Sequence, residues 1–276
     1  MYTRREWISK NRIGVEIYWQ GKYGSKGEKR APRSKMTSEE QKRVNQRRKE
    51  KKVERLIDAN FYPNDLWVTL KYPKGTRKPY EEVKKDFDKF IRQMRNDYRK
   101  LGEEFKFIYR VEIGPKGGAH IHILLNRVAM VELLIQKNWV TDLVNLTPCQ
   151  DDLSGLAKYI TKPLPEEEED GGQLKLISEE EKKKYKPYNC SRNLIRPEPE
   201  TKEYSRRTVK KIVDEGPQAR EGYYIDKSSI KTGVNPYTGM SYMFYAELAL
   251  NPELREIKAP PPDIDILNTK RRKKRE

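Results

Sequence analysis

The sequence predicts an α+β fold, an antiparallel sheet with helices packed on one face, extended by helical basic segments. Three observations lead there. Short β-branched and aromatic runs are bounded by turn residues, and amphipathic stretches of helical spacing lie between them. The third is polarity: 37% of the 276 residues are charged and mean hydropathy is −1.02, which leaves a core smaller than the length suggests. Composition shifts divide the chain into a basic N-terminal extension with a helix (1–60), a sheet-and-helix core (61–165), a basic and aromatic extension of that core (166–250) and a disordered basic tail (251–276).

Taken in order, "MTSEEQKRVNQRRKEKKVERLIDANF" predicts a helix opened by Thr37, with Glu40 completing a capping box. Its apolar positions, Val44, Val53, Leu56 and Ile57, are sparse, so most of it is a solvated basic face. Residues 1–56 hold 18 Lys/Arg against 7 Asp/Glu, a surplus of 11. Arg43, Arg47, Arg48, Lys51 and Lys52 there, with Lys71 and Lys158 further on, are candidate contacts to a phosphate backbone. The same density also suits a helix that is merely soluble.

"DLWVTLKY" (65–72) reads as a strand between Pro63-Asn64 and Pro73…Gly75. In "YEEVKKDFDKFIRQMRNDYRKL" the residues Val83, Phe87, Phe90, Ile91, Met94 and Tyr98 recur at helical spacing. Two strands follow, "FKFIYRVEI" and "AHIHILLN", joined by the turn-rich "GPKGG", then a helix near Val131 to Lys137. "DDLSGLAKYITKP" is a short helix with acidic residues at its start and Pro163 past its end. Beyond it lie an acidic surface loop ("LPEEEEDGGQ"), a helix at "RRTVKKIVDE" and a strand at "SYMFYAEL".

A net charge of +17 points to an anionic partner such as nucleic acid. No apolar run reaches the roughly 18 residues of a membrane span, and "MYTRREWISK" lacks a secretory core. Cys149 and Cys190 form no CxxC pair, so a disulfide framework and a zinc finger are not indicated, and a reducing, cytoplasmic setting fits. There is no GxxxxGK[ST] phosphate loop and hence no helicase motor.

The chain's two histidines stand together in "AHIHILLN". On a strand His120 and His122 share one face while Ile121, Ile123 and Leu125 take the other. If "GPKGG" closes a hairpin with Ile113 opposite Ala119, then Glu112 falls across from His120 on the histidine face. Two imidazoles and a carboxylate leave coordination positions open, as catalytic Mg²⁺ or Mn²⁺ requires, although HxH alone suits Zn²⁺ equally. Tyr-x-x-Lys occurs at Tyr23, Tyr159 and Tyr224, and only Tyr159 falls on a predicted helix following the histidines. Lys162 lies three residues on, which in a continuing helix puts both on one face. Lys158 points to a different side.

"LWVTLKY", "HIHILL" and "YITK", in that order, resemble the signature of the HUH endonucleases: rolling-circle replication initiators, conjugative relaxases and related transposases. "RVNQRRKEKKVERLIDANFYPNDLWVTLKY" and "YNCSRNLIRPEP" are similar to bacterial rolling-circle replication proteins, which extends the resemblance over about residues 35 to 250. It implies an RNA-recognition-type sheet core and a metal, Mn²⁺ or Mg²⁺ ahead of Zn²⁺, on His120, His122 and Glu112. It also implies Tyr159 as the nucleophile forming a 5′-phosphotyrosine on single-stranded or hairpin origin DNA, with Lys162 as an assisting ammonium. No second tyrosine lies within a turn of Tyr159, which favours the single-tyrosine class. The expected function is a replication initiator in a bacterial cytoplasm, with a host helicase and polymerase as partners and no membrane. A relaxase or transposase of the same chemistry, another metal-dependent hydrolase and a non-catalytic DNA-binding protein are the rival readings. Tyr185, Tyr188 and Tyr204, set among Lys and Arg, suit base stacking as well as ordinary packing.

Overall fold

The computed structural model describes residues 1–20, 37–113, 118–150, 153–163, 188–235 and 239–262. In chain order its elements are β1 (Tyr2–Ile8), β2 (Arg12–Trp19), α1 (Ser38–Asn60), β3 (Leu66–Lys71), α2 (Tyr80–Lys100), β4 (Phe107–Ile113), β5 (Ala119–Leu125), α3 (Val131–Asn138), β6 (Val144–Pro148), α4 (Ser154–Thr161), β7 (Asn189–Cys190), β8 (Glu200–Tyr204), α5 (Arg206–Glu215), β9 (Tyr223–Val234) and β10 (Ser241–Ala249). The expected acidic loop at 164–173, most of the "GPKGG" turn, Asp151 and Asp152, Tyr23, Tyr185 and the basic tail from 263 lie outside the described residues. The fold class is α+β with two antiparallel five-stranded sheets. None of the described helices is long and apolar enough to cross a membrane.

The chain divides into two units. One comprises Phe61–Leu194 with the described residues from Leu254; the other comprises Met1–Asn60 with Ile195–Glu253. In the first, the strand order is β6-β3-β5-β4-β7. Alternation along each strand sends Leu66, Val68, Leu70, Phe107, Val111, Ile121, Ile123 and Leu125 to one face. There they meet the apolar stripe of α2 (Val83, Phe87, Phe90, Ile91, Met94, Tyr98) and Val131, Leu134 and Ile135 of α3 in one buried core. Glu81 and Glu82 in the first turn of α2 and Arg99 and Lys100 in its last turn complement the helix dipole. Polar ties finish this layer: the buried Tyr98 hydroxyl donates to the Asn126 carbonyl at 2.5 Å, and Trp139 Nε1 donates to the Lys71 carbonyl at 2.9 Å. With the apolar residues turned to the helices, the opposite face is left to Trp67, Thr69, Lys71, Arg110, Glu112, His120 and His122.

The second unit holds the sheet β8-β1-β2-β10-β9. Ile13, Val15, Ile17, Met243 and Tyr245 share a core with Val209, and Ile212 and Val213 of α5 pack against it. Strands β1 and β2 are an addition to the sequence reading, which finds only a basic segment and a helix before residue 61. The helix is present with its capping box: Glu40 N–H donates to Thr37 Oγ1 at 3.2 Å, and Thr37 N–H donates to Glu40 Oε2 at 2.9 Å. In α1 the buried residues are Val53, Ile57 and Asn60, so the N-terminal half carries only solvated side chains.

Residues 254–258 return to the first unit through Arg255. Its guanidinium makes two hydrogen bonds to Asp65, Nε to Oδ1 at 2.5 Å and a terminal nitrogen to Oδ2 at 2.8 Å, just ahead of β3. Asp65 is fully buried and also accepts from the Tyr62 and Arg127 backbone N–H groups. Removing one partner of a buried ion pair leaves the other uncompensated. Arg255→Ala is therefore expected to lower unfolding stability by about 3 kcal/mol in urea titrations; an unchanged midpoint would mean that the tie contributes nothing.

Candidate active site

Pairing of β4 with β5 sets Ile113 opposite Ala119 and Glu112 opposite His120, the register expected from the symmetric turn. Arg110 then faces His122. On the other side of β5, Lys71 faces His120 and Thr69 faces His122. Six polar side chains of three neighbouring strands thus share the sheet face that α2 and α3 leave open.

Tyr159 reaches this face from α4. Its hydroxyl donates to Glu112 Oε2 at 2.8 Å and lies 3.0 Å from His122 Nε2, which is itself 3.1 Å from the same carboxylate oxygen. His122 Nδ1 lies 3.1 Å from Thr69 Oγ1. With the phenol proton committed to Glu112, the pattern puts the imidazole proton on Nε2 and leaves Nδ1 to accept from Thr69. Trp67 backs the group: it stacks on the His122 ring (centroids 5.7 Å apart, 12° between planes) and meets the Tyr159 ring edge-on at 5.7 Å.

Arg110 explains how α4 is held. It is buried, and its guanidinium donates to the carbonyl of Ile160 at 3.1 Å and to that of Lys162, satisfying acceptors that the helix end leaves open. Ala157 and Ile160 are buried while Tyr159 is 38% exposed, so the phenol is fixed at its root and open to solvent at its tip.

These contacts set the electrostatics. The hydrogen bond from His122, aided by that from Tyr159 and opposed by burial, pulls Glu112 down to about 2. Burial, then the hydrogen bond to and charge of Glu112, push Tyr159 up to about 12, with Arg110 acting in the opposite sense. Burial, followed by the neighbouring His122 and Lys71, lowers His120. The phenol is thus firmly protonated in this arrangement.

Of the candidate residues, Glu112, His120, His122, Tyr159 and Lys71 share this site. Lys162 is adjacent but out of phase. α4 ends at Thr161, and Lys162 has φ −47°, ψ 127°, because a residue before proline avoids the helical region. Its side chain is exposed, as is that of Lys158. Arg43, Arg47, Arg48 and Lys52 are exposed on α1 in the other unit, where Lys51 is engaged with Glu16. Tyr224 lies on β9 and Tyr204 packs against the second core. Both cysteines are free. Sequence reasoning misses Thr69, Arg110 and Trp67, although Arg110 precedes Glu112 by two residues and so shares its face.

The donor set, two imidazoles and a carboxylate on one face, is of the type a divalent cation takes. In the present rotamers Glu112 and His122 are turned toward each other and the phenol, and no three described His, Cys, Asp or Glu side chains stand as a metal-holding group.

Residues 65–164 match the family model of the replication-associated protein ORF2 family. The matched span, under half of the chain, begins just before β3 and ends just past α4, and so contains every residue of this site. No curated protein and no solved structure matches the chain.

The depressed Glu112 carboxyl has a consequence for stability. Its unfolded value is about 4.3, so on acidification the unfolded chain takes up the proton first. Its contribution is complete above about pH 4.3 and is lost as pH falls through about 2. Glu112→Gln should therefore be less stable than the wild type at neutral pH, and the two should converge in acid. Urea titrations across that range check this; parallel curves would show that the Glu112 contacts do not stabilise the fold.

Proposed function

We propose that this chain initiates rolling-circle replication by nicking and rejoining single-stranded DNA at an origin, with Tyr159 as the nucleophile. The observation that carries the reading is the meeting of the Tyr159 phenol with Glu112 and His122 on a sheet face lined by cations, within the span that matches replication-associated proteins.

In the proposed reaction the Tyr159 oxygen forms a bond to the scissile phosphorus, and the bond from phosphorus to the 3′ oxygen breaks. This leaves a 5′-phosphotyrosine and a free 3′-hydroxyl, and it conserves the phosphodiester energy for rejoining. The phenol proton leaves along its hydrogen bond toward Glu112 and His122, and the departing oxygen takes up a proton from solvent. Arg110 holds the helix end so that the phenol meets phosphorus at a fixed distance. Lys71 beside His120 and Lys162 beyond α4 supply positive charge for the phosphate. His120, His122 and Glu112 would hold Mn²⁺ or Mg²⁺, which when bound supplies Lewis-acid polarisation of the phosphate. Origin DNA, single-stranded or in a hairpin, is the partner this chemistry requires. Unwinding and synthesis then fall to a helicase and a polymerase of a bacterial host.

The test is labelled single-stranded origin DNA with Mn²⁺ on a denaturing gel. A slow-migrating covalent adduct should form with the wild type and vanish in Tyr159→Phe and in His120→Ala/His122→Ala. Adduct surviving in Tyr159→Phe would assign attack to another tyrosine. Cleavage without adduct would mean that water attacks, as in the rival hydrolase reading.

Thr69 gives a second expectation. For His122 to offer Nε2 as a ligand its proton must move to Nδ1, and the Thr69 hydroxyl can then turn from donor to acceptor. Thr69→Val, which keeps the shape and loses the hydroxyl, should weaken Mn²⁺ binding about tenfold or more, whereas Thr69→Ser should retain it. Free Mn²⁺ measured by electron paramagnetic resonance reads this without any DNA; equal affinity in Thr69→Val would dismiss the role.

A further inference from the structure

The sheet of the other unit has a face not covered by α5, and it too is ordered by the pleat. Strand register lines up Arg5, Glu16, Phe244 and Lys231 in one row across β1, β2, β10 and β9. Tyr18 and Tyr242 stand two residues along from Glu16 and Phe244 on the same face. Rings and cations alternate in contact. The Arg5 guanidinium is 5.6 Å from the Tyr18 ring centre and the Lys51 ammonium of α1 is 4.5 Å from that of Phe244. The Tyr242 and Phe244 rings are stacked, centroids 5.2 Å apart and 28° between planes. The acidic group in the row, Glu16, receives 2.6 Å contacts from both Lys51 and Arg55 and is neutralised twice over.

Tyr242 has a specific backbone opposite it. Register places it across from Gly233, where a β-carbon would come within 2.6 Å of the Tyr242 hydroxyl and 2.8 Å of the ring. Glycine at that position is what allows the ring to lie across β9. Tyr18, Tyr242, Phe244 and Arg5 are half-buried and Lys231 is exposed, so ring faces and charges both reach solvent.

We propose that this face binds single-stranded nucleic acid, with bases stacking on Tyr242, Phe244 and Tyr18 and phosphates on Arg5 and Lys231. Charge complementarity carries the choice of ligand. An apolar peptide would leave the interleaved cations unpaired beneath it, and a duplex offers no unstacked base to the rings. Single strands present both the π-faces and the phosphates that this surface can use. The face belongs to the unit that lacks Tyr159, and the proposal stands apart from the identity of the nucleophile.

The test is fluorescence anisotropy of the full chain with a labelled mixed-sequence single strand and, separately, its duplex, in chelator and over a range of salt. Tyr242→Ala should weaken single-strand binding about fivefold or more and leave duplex binding unchanged, while Tyr242→Phe, which keeps the ring, should match the wild type. Arg5→Gln/Lys231→Gln should reduce the slope of log affinity against log salt by about 1.4, roughly 0.7 per phosphate contact on a single strand. Wild-type affinity in Tyr242→Ala, equal losses on single strand and duplex, or an unchanged salt slope would each overturn the proposal. Tyr159→Phe should bind as the wild type in this assay. Ring-dependent binding by a protein that forms no adduct with origin DNA would therefore sink the nicking function and leave this site standing.

Discussion

The site depends on the pairing of β4 with β5. A strand shows alternate residues to alternate faces, and a slip of one residue would turn every side chain over. Because Ile121, Ile123 and Leu125 are committed to the α2 and α3 core, His120 and His122 are committed to the other side. The same logic on β4 sends Val111 inward and Arg110 and Glu112 outward, and the hairpin register then sets Glu112 across from His120. The apolar layer acts as the jig for the polar one: what buries the helices also aims the imidazoles.

Within that frame two groups restrain the phenol from opposite ends. Arg110 fixes the C-terminal carbonyls of α4, and Glu112 with His122 fixes the hydroxyl. A buried guanidinium is costly unless its donors are used, and here the helix end supplies the acceptors. The arrangement orders an aromatic nucleophile without burying it. It also keeps the proton on that oxygen until the hydrogen bonds to Glu112 and His122 are exchanged for others.

Much of this was legible in the residues, and the gaps have physical causes. The alternation in "AHIHILLN" and the symmetry of "GPKGG" were enough to place Glu112 opposite His120. The stripe from Val83 to Tyr98 was enough to place α2. Lys162 was harder: the spacing put it in phase with Tyr159, but Pro163 draws it out of the helix. Strands β1 and β2 escaped notice because their inward side is not uniformly apolar. Glu6 is buried and bridged by Arg4 at 2.5 Å and Arg220 at 2.6 Å, so "TRREW" reads as a charged, solvated run. Its pairing partners in β8 and the binding of Arg220 lie some two hundred residues downstream, beyond the reach of any local pattern. Arg110 was hidden for a related reason, since its acceptors are backbone carbonyls and leave no mark on side-chain identity.

The discontinuous unit has a bearing on how the protein is made. Strands β1 and β2 can form a hairpin as soon as they leave the ribosome, but β8, β9 and β10, which flank that hairpin on both sides, come from residues 200–249. At usual translation speeds the intervening span takes on the order of ten seconds to emerge. For that interval the nascent hairpin has two open edges and no α5 to cover Ile13, Val15 and Ile17. The unit containing Tyr159 is built from closer neighbours in sequence and can fold while the first still waits. A chain that stops before β10 would release a finished site attached to an unpaired, aggregation-prone sheet fragment.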